Sequence, residues 1–197
     1  SERVVMMAKA SWTTARPVPD KFFQSLDITS EMSGVDLCCG EGHFSAPLAK
    51  FVGGKLHLFD VDPEMLRRAR AAVERLGGSV REWICDDTER LADVLPELVD
   101  FVFIANAAHG VADVEDLAGT VRSALKAHGR FVVVDRYPLT GKAGAIQNLL
   151  RGPPPAVRHS PEELRVAVEP VGFRLGNVVD LPPDHYGTVF HKIASKA

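Results

Sequence analysis

The residue types able to do chemistry are densest in the stretch VDLCCGEGHF, residues 35–44, which holds the carboxylate of Asp36, the adjacent thiols of Cys38 and Cys39, and Gly40 and Gly42. Three uses compete for such a stretch: a metal centre, a thiol redox pair, or a turn that holds a ligand. Zinc usually takes four ligands, with paired cysteines two to four residues apart, and here the pair touches with no second pair downstream. Adjacent cysteines bridge only with strain, and the remaining one, Cys85, stands alone. No metal is therefore expected. The glycines fit a ligand turn, because a residue without a β-carbon lets a ligand or a neighbouring backbone approach closely.

Further carboxylates follow at related places. Asp60 in LFDVDPEML lies about twenty residues beyond the glycine turn, the distance at which an acidic side chain accepts ribose hydroxyls of an adenosine-containing cofactor. Asp62, immediately before Pro63, is the better helix cap, which leaves Asp60 with no evident structural task. Asp86 and Asp87 in ICDDTERL offer an acceptor for an adenine amino group, and Asp87 reads equally well as the N-cap of the next helix.

These residues need a scaffold that brings them to one edge. The β-branched runs GVDLC, KLHLFDV, SVREWI, VDFVFIA and GRFVVVD read as strands, and all but the last lead promptly into a helical pattern. Strand and helix in alternation argue for a parallel sheet covered on both faces, with ligands at the carboxyl ends of its strands. Ser160, Pro161 and Glu163 form a capping box ahead of the last helix. RLGNVVDL and YGTVFHKI then read as an antiparallel pair. Residues 1–18 read as an N-terminal arm and 19–197 as one domain; the Gly- and Pro-rich segment 137–159 is long enough for a lid.

Composition narrows the partners. With 23 basic against 26 acidic residues, a net charge of −3 and a pI near 6.2, the chain has no field to hold a phosphate backbone or an anionic membrane surface. No apolar run is long enough to cross a bilayer, and the first residues lack a signal-peptide core. A soluble, cytoplasmic protein acting on a small molecule is expected, without nucleic-acid or membrane partners; a homodimer is compatible with the sequence.

Together the motifs resemble the class I S-adenosylmethionine-dependent methyltransferases. The acidic residue and three alternate glycines of that family correspond to Asp36, Cys38, Gly40 and Gly42, with cysteine in place of the first glycine; Asp60, the PEML helix start at 63–66, CDDTERL and DFVFIANAAHGV match the later motifs. Within the family, length and the tail DHYGTVF look like a compact microbial group related to the ubiquinone and menaquinone biosynthesis methyltransferases. The resemblance implies a Rossmann-like, mostly parallel seven-stranded sheet in the order 3-2-1-4-5-7-6. It also implies S-adenosyl-L-methionine as cofactor, held by Asp36, Cys38, Gly40, Gly42, Asp60, Val61, Asp86, Asp87 and Asn106. The turn is expected to form around Cys38 if that position takes β-region angles.

Methyl transfer from a sulfonium is an in-line displacement that needs positioning rather than a covalent enzyme intermediate. His109 in NAAHGV is the candidate catalytic base for an oxygen or nitrogen acceptor; for a thiolate or a metalloid it would only shape the pocket. Arg136, His185 and Tyr186 are candidate substrate contacts, each with a structural alternative, as a charge paired with Asp135 or as hairpin-turn residues. A nicotinamide-dependent oxidoreductase is disfavoured by Ser45 where its third glycine should stand. A sensor that binds S-adenosylmethionine or S-adenosylhomocysteine without turnover would carry every cofactor motif and remains the alternative.

Overall fold

Runs of β-branched residues broken by capped helices build the alternating chain of the protein, whose computed structural model describes residues 3–5, 18–138 and 158–194. The elements are β1 (Arg3–Val5), α1 (Asp20–Ser25), β2 (Gly34–Leu37), α2 (Ser45–Phe51), β3 (Leu56–Asp60), α3 (Pro63–Arg75) and β4 (Glu82–Cys85). After them come α4 (Leu91–Val94), β5 (Val99–Ala105), α5 (Val114–Ala124), β6 (Leu125–Arg136), α6 (Pro161–Val168), β7 (Phe173–Leu181) and β8 (His185–Lys192). The expected lid falls largely outside the described residues, as does Arg151, which flanks its proline run.

The strands form one sheet in the order β1-β7-β8-β6-β5-β2-β3-β4. Seven of them, β2 to β8, reproduce the expected order 3-2-1-4-5-7-6 when counted from β2. The eighth was not expected: residues 3–5 of the arm add a parallel edge strand to β7, pairing Arg3 with Val178 and Val5 with Asp180. Among the described residues only β8 runs against the others, inserted between β6 and β7. Its first residues, His185 and Tyr186, lie in the strand and not in the hairpin turn where sequence reasoning put them.

Side chains alternate across the sheet and supply two cores. On β5, Phe101 and Phe103 point to the face covered by α1, α2 and α3, while Val102 and Ile104 point to the face covered by α5 and α6. Phe22 and Phe23 of the short α1 are fully buried; the Phe22 ring stacks on Phe44 at 5.6 Å and that of Phe23 meets Phe103 edge-on at 6.2 Å. This anchors the chain beside the glycine turn, since Phe44 directly precedes α2. The predicted caps form: Asp62 accepts from the Glu64 amide at 2.8 Å, and Ser160 and Glu163 close their box at 2.7 and 3.2 Å. Among the described residues, no helix is long and apolar enough to cross a membrane.

Candidate functional site

The parallel pairing of β2 with β3 and with β5 brings the glycine turn, Asp60 and Asn106 to the same carboxyl edge of the sheet. Where β2 ends, Cys38 takes φ 56°, Gly40 φ 54° and Gly42 φ 86°. The expectation of β-region angles at Cys38 is therefore wrong: the position is left-handed, which glycine adopts freely and an L-residue adopts at a cost of about 1–2 kcal/mol. The thiol of Cys38 lies 3.9 Å from the Thr88 hydroxyl. Burial raises the pKa of both thiols, which favours their protonated form.

The two glycines divide the labour that the sequence assigned to both. A β-carbon on Gly42 would sit 2.8 Å from Ala69 Cα, so this glycine lets α3 pack against the turn. A β-carbon on Gly40 would meet nothing within 4 Å, so the cradle is open on the side of Gly40.

Asp60 is 8% exposed and does have a structural task. One carboxylate oxygen accepts the Gly40 amide at 2.9 Å and the other accepts the Asp62 amide at 2.9 Å, so the side chain ties the glycine turn to the entrance of α3. Each oxygen accepts more than one hydrogen bond, so bracing the turn leaves capacity for ribose hydroxyls. Next to it Val61 is 62% exposed, an apolar side chain beside the open cradle.

Asp36 lies beneath the turn, 2% exposed, and accepts the Ser45 hydroxyl at 2.5 Å. Burial pushes its carboxyl up to about 7, with the Ser45 hydrogen bond opposing and the Asp60 charge adding to the rise. It supports the cradle from below. Asp86 accepts the Asp87 amide at 2.8 Å and pairs with Arg90 at 2.9 Å, whereas Asp87 is exposed and occupies the cap position of the 3-10 turn Thr88–Arg90 without a side-chain cap bond. Of the two, Asp87 is thus the one whose carboxylate is not turned into its own backbone.

At the far end of the edge, Asn106 follows β5 with φ 55°, its amide donating to Val134 O at 2.9 Å. His109 falls in the 3-10 turn Ala108–Gly110 that follows, close to the same strand end. His185 is 1% exposed and stands between Asp184, at 2.7 Å from Nδ1, and Asn106, at 2.9 Å from Nε2. Burial lowers its pKa although Asp184 opposes the change. Arg136 faces Asp184 at 3.6 Å, while Asp135 accepts the Arg136 amide at 2.8 Å. Tyr186 is fully buried and donates to His159 O at 2.6 Å, so its hydroxyl is engaged below the edge rather than at it. Tyr137, which sequence reasoning did not single out, donates to Asp180 beside this group. No motif announces the Asp184–His185–Asn106 chain, because Asn106 and His185 lie 79 positions apart in sequence and meet only across β6.

Comparison with known proteins agrees with the geometry. Residues 35–129 match a family described as a methyltransferase domain. Among curated proteins no sequence matches the chain. Among solved structures, an S-adenosylmethionine-dependent methyltransferase from Aquifex aeolicus superposes with TM-score 0.72 at 22% identity, over 88% of this chain and 89% of that one. An arsenic(III) S-adenosylmethionine methyltransferase from Chlamydomonas reinhardtii gives 0.63 at 17% identity, over 91% and 75%. Magnesium protoporphyrin IX methyltransferase from Synechocystis PCC 6803, with bound S-adenosylhomocysteine, gives 0.64 at 16%, over 88% and 79%. At such identities the likeness is one of fold.

Proposed function

We propose that the protein transfers a methyl group from S-adenosyl-L-methionine to a small molecule by in-line displacement; the match of residues 35–129 to a methyltransferase-domain family and the likeness of the fold to that of an S-adenosylmethionine-dependent methyltransferase support this reading. One observation carries the cofactor site: a glycine turn open over Gly40 and braced by the carboxylate of Asp60 at the carboxyl edge of the sheet. The cofactor supplies an activated methyl group on a sulfonium. The chain supplies placement and a dry wall. Asp60 orients the ribose, Val61 lies along the adenine and Asp87 meets its amino group, while the turn at Cys38–Gly42 and Asp36 beneath it receive the aminoacyl part. Asn106 and His109, at the end of β5, border the place where the methyl carbon meets its acceptor.

His109 serves as the proton acceptor when the nucleophile is a hydroxyl or amine. Arg136 gives the acceptor site a positive side chain suited to a carboxylate-bearing molecule. The structural neighbours act on acceptors as different as arsenic(III) and a magnesium porphyrin, so acceptor class does not follow from the fold.

The test is calorimetric binding of S-adenosylmethionine to the full chain, followed by a screen of metabolite, thiol, quinol-precursor and metalloid acceptors scored by release of S-adenosylhomocysteine. Micromolar binding and acceptor-dependent release are expected. Binding without release for any acceptor would favour the sensor reading, and no binding would end both.

A further inference from the structure

The amino end of the sheet, opposite the glycine turn, holds an arginine without an anion. Arg130 stands on β6 in register with Phe101 of β5 and His191 of β8. Among the described residues its guanidinium donates to Met32 Sδ at 3.5 Å, a thioether and hence a weak acceptor, while Nε is buried with no hydrogen-bond partner. A half-buried charge held in this way forgoes hydrogen bonds that it would make in water, and an anion brought to it restores them. Arg130 lines a cavity of about 290 Å³ together with Gln24, Asp27, Ile28, Thr29 and Phe51, contributed by α1, the loop before β2 and the end of α2. That volume stands near the lower end for ligand cavities, which suits a small metabolite.

The same cavity presents the opposite charge. Asp27 accepts the Asn177 carboxamide at 2.8 Å and lies 3.8 Å from His191 Nε2, both through Oδ2, so Oδ1 keeps its capacity to accept. Burial, and after it the charge of Arg130, lowers the His191 pKa, which favours a neutral ring that offers Asp27 little positive charge. Among the described residues no ion pair joins Asp27 to Arg130, so both line the cavity with capacity to spare. An anion on Arg130 alone would share the space with the Asp27 carboxylate, and a cation on Asp27 alone would share it with the guanidinium. A molecule that bears both groups meets each with its opposite. Ile28 and the Phe51 ring, stacked on Phe23 at 5.8 Å, give the aliphatic part of such a molecule an apolar wall. We propose that this cavity binds a small zwitterion, an α-amino acid with an aliphatic side chain, its carboxylate on Arg130 and its ammonium on Asp27. The site goes beyond the methyltransferase reading and does not depend on it, since it lies at the end of the sheet away from Gly40 and Asp60.

The experiment titrates L-leucine into the isotope-labelled full chain at neutral pH and follows backbone amide and arginine Nε–H resonances by heteronuclear NMR. Saturable shifts centred on residues 24–30, Phe51 and the Arg130 Nε–H are expected. Isocaproate and isoamylamine, which are leucine without its amino group and without its carboxyl group, should each bind at least about tenfold more weakly, the scale of one lost hydrogen bond to a charged group. Arg130→Gln and Asp27→Asn should each weaken leucine binding by a similar factor. Asparagine tolerates the left-handed φ of 57° at position 27, so the second variant keeps the loop. If Arg130→Gln does not fold, Asp27→Asn and the ranking of the three probes on the parent protein decide. No saturable shift, shifts at the glycine turn in place of the cavity, either single-charge probe binding as tightly as leucine, or unchanged affinity in the variants would overturn the proposal. No arm uses S-adenosylmethionine, so failure here leaves the methyltransferase reading standing.

Discussion

Replacing Asp36 by asparagine should make the protein more stable, by an amount that grows with pH. The carboxyl is buried on β2, and its folded-state pKa of about 7 stands against an ordinary 3.8. Below the ordinary value it is protonated in both folded and unfolded chains and contributes no difference. As pH rises, the unfolded chain ionises first, so the stability associated with the neutral carboxyl is lost progressively until pH passes the folded value. A gap of about 3 units corresponds to ~4 kcal/mol, which relaxation of the turn and water access reduce to about 2. Asparagine keeps an acceptor for the Ser45 hydroxyl and has nothing to ionise. Urea denaturation of both proteins at about pH 5, 6, 7 and 8 should therefore give curves whose separation widens by roughly 2 kcal/mol across the series. A separation that stays constant with pH, or a parent that gains on the variant as pH rises, would show that Asp36 is ionised at no cost and that the burial argument is wrong.

Four further outcomes follow from the site. Asp60→Ala removes the acceptor of two backbone amides as well as the proposed ribose contact, so calorimetry should show lost S-adenosylmethionine binding and melting should show about 1–3 kcal/mol of lost stability. Asp62→Ala, a cap alone, should cost about 1 kcal/mol and leave binding intact; the reverse pattern would remove the assignment. Cys38→Gly relieves the left-handed backbone and should raise stability by about 0.5–1 kcal/mol after the lost thiol packing is counted, and a lower melting temperature would show that packing outweighs strain. His109→Ala should slow transfer to an oxygen or nitrogen acceptor about a hundredfold or more in an S-adenosylhomocysteine release assay; unchanged turnover would make His109 a wall of the pocket.

The strands β2, β3 and β5 were legible because each is a mostly apolar run, and a buried parallel strand has no other pattern to show. The caps at Asp62 and Ser160 were legible because capping is chemistry among neighbours. What sequence missed depends on partners far along the chain. Three residues, RVV, carry too little pattern to declare an edge strand, and β1 exists because β7 offers it a free side. The second task of Asp60 spans 20 positions to Gly40, and that of His185 spans 79 to Asn106; only the register of the sheet makes them neighbours. The backbone angle at Cys38 was misjudged for the opposite reason, since residue size argued for a conformation that the turn does not permit.

The insertion of β8 between β6 and β7 has a consequence for how the chain is made. Neither β7 nor the β1 strand attached to it can join the parallel block until residues 185–192 have been synthesised, because β8 supplies every hydrogen bond that links them to β6. A nascent chain therefore carries a half-sheet with an open flank at β6 from the completion of that strand at Arg136 until His185–Lys192 has emerged, a site where chaperones or premature strand partners compete. Vectorial synthesis thus assembles the glycine turn between β2 and α2 early and the Asn106–His185 contact last.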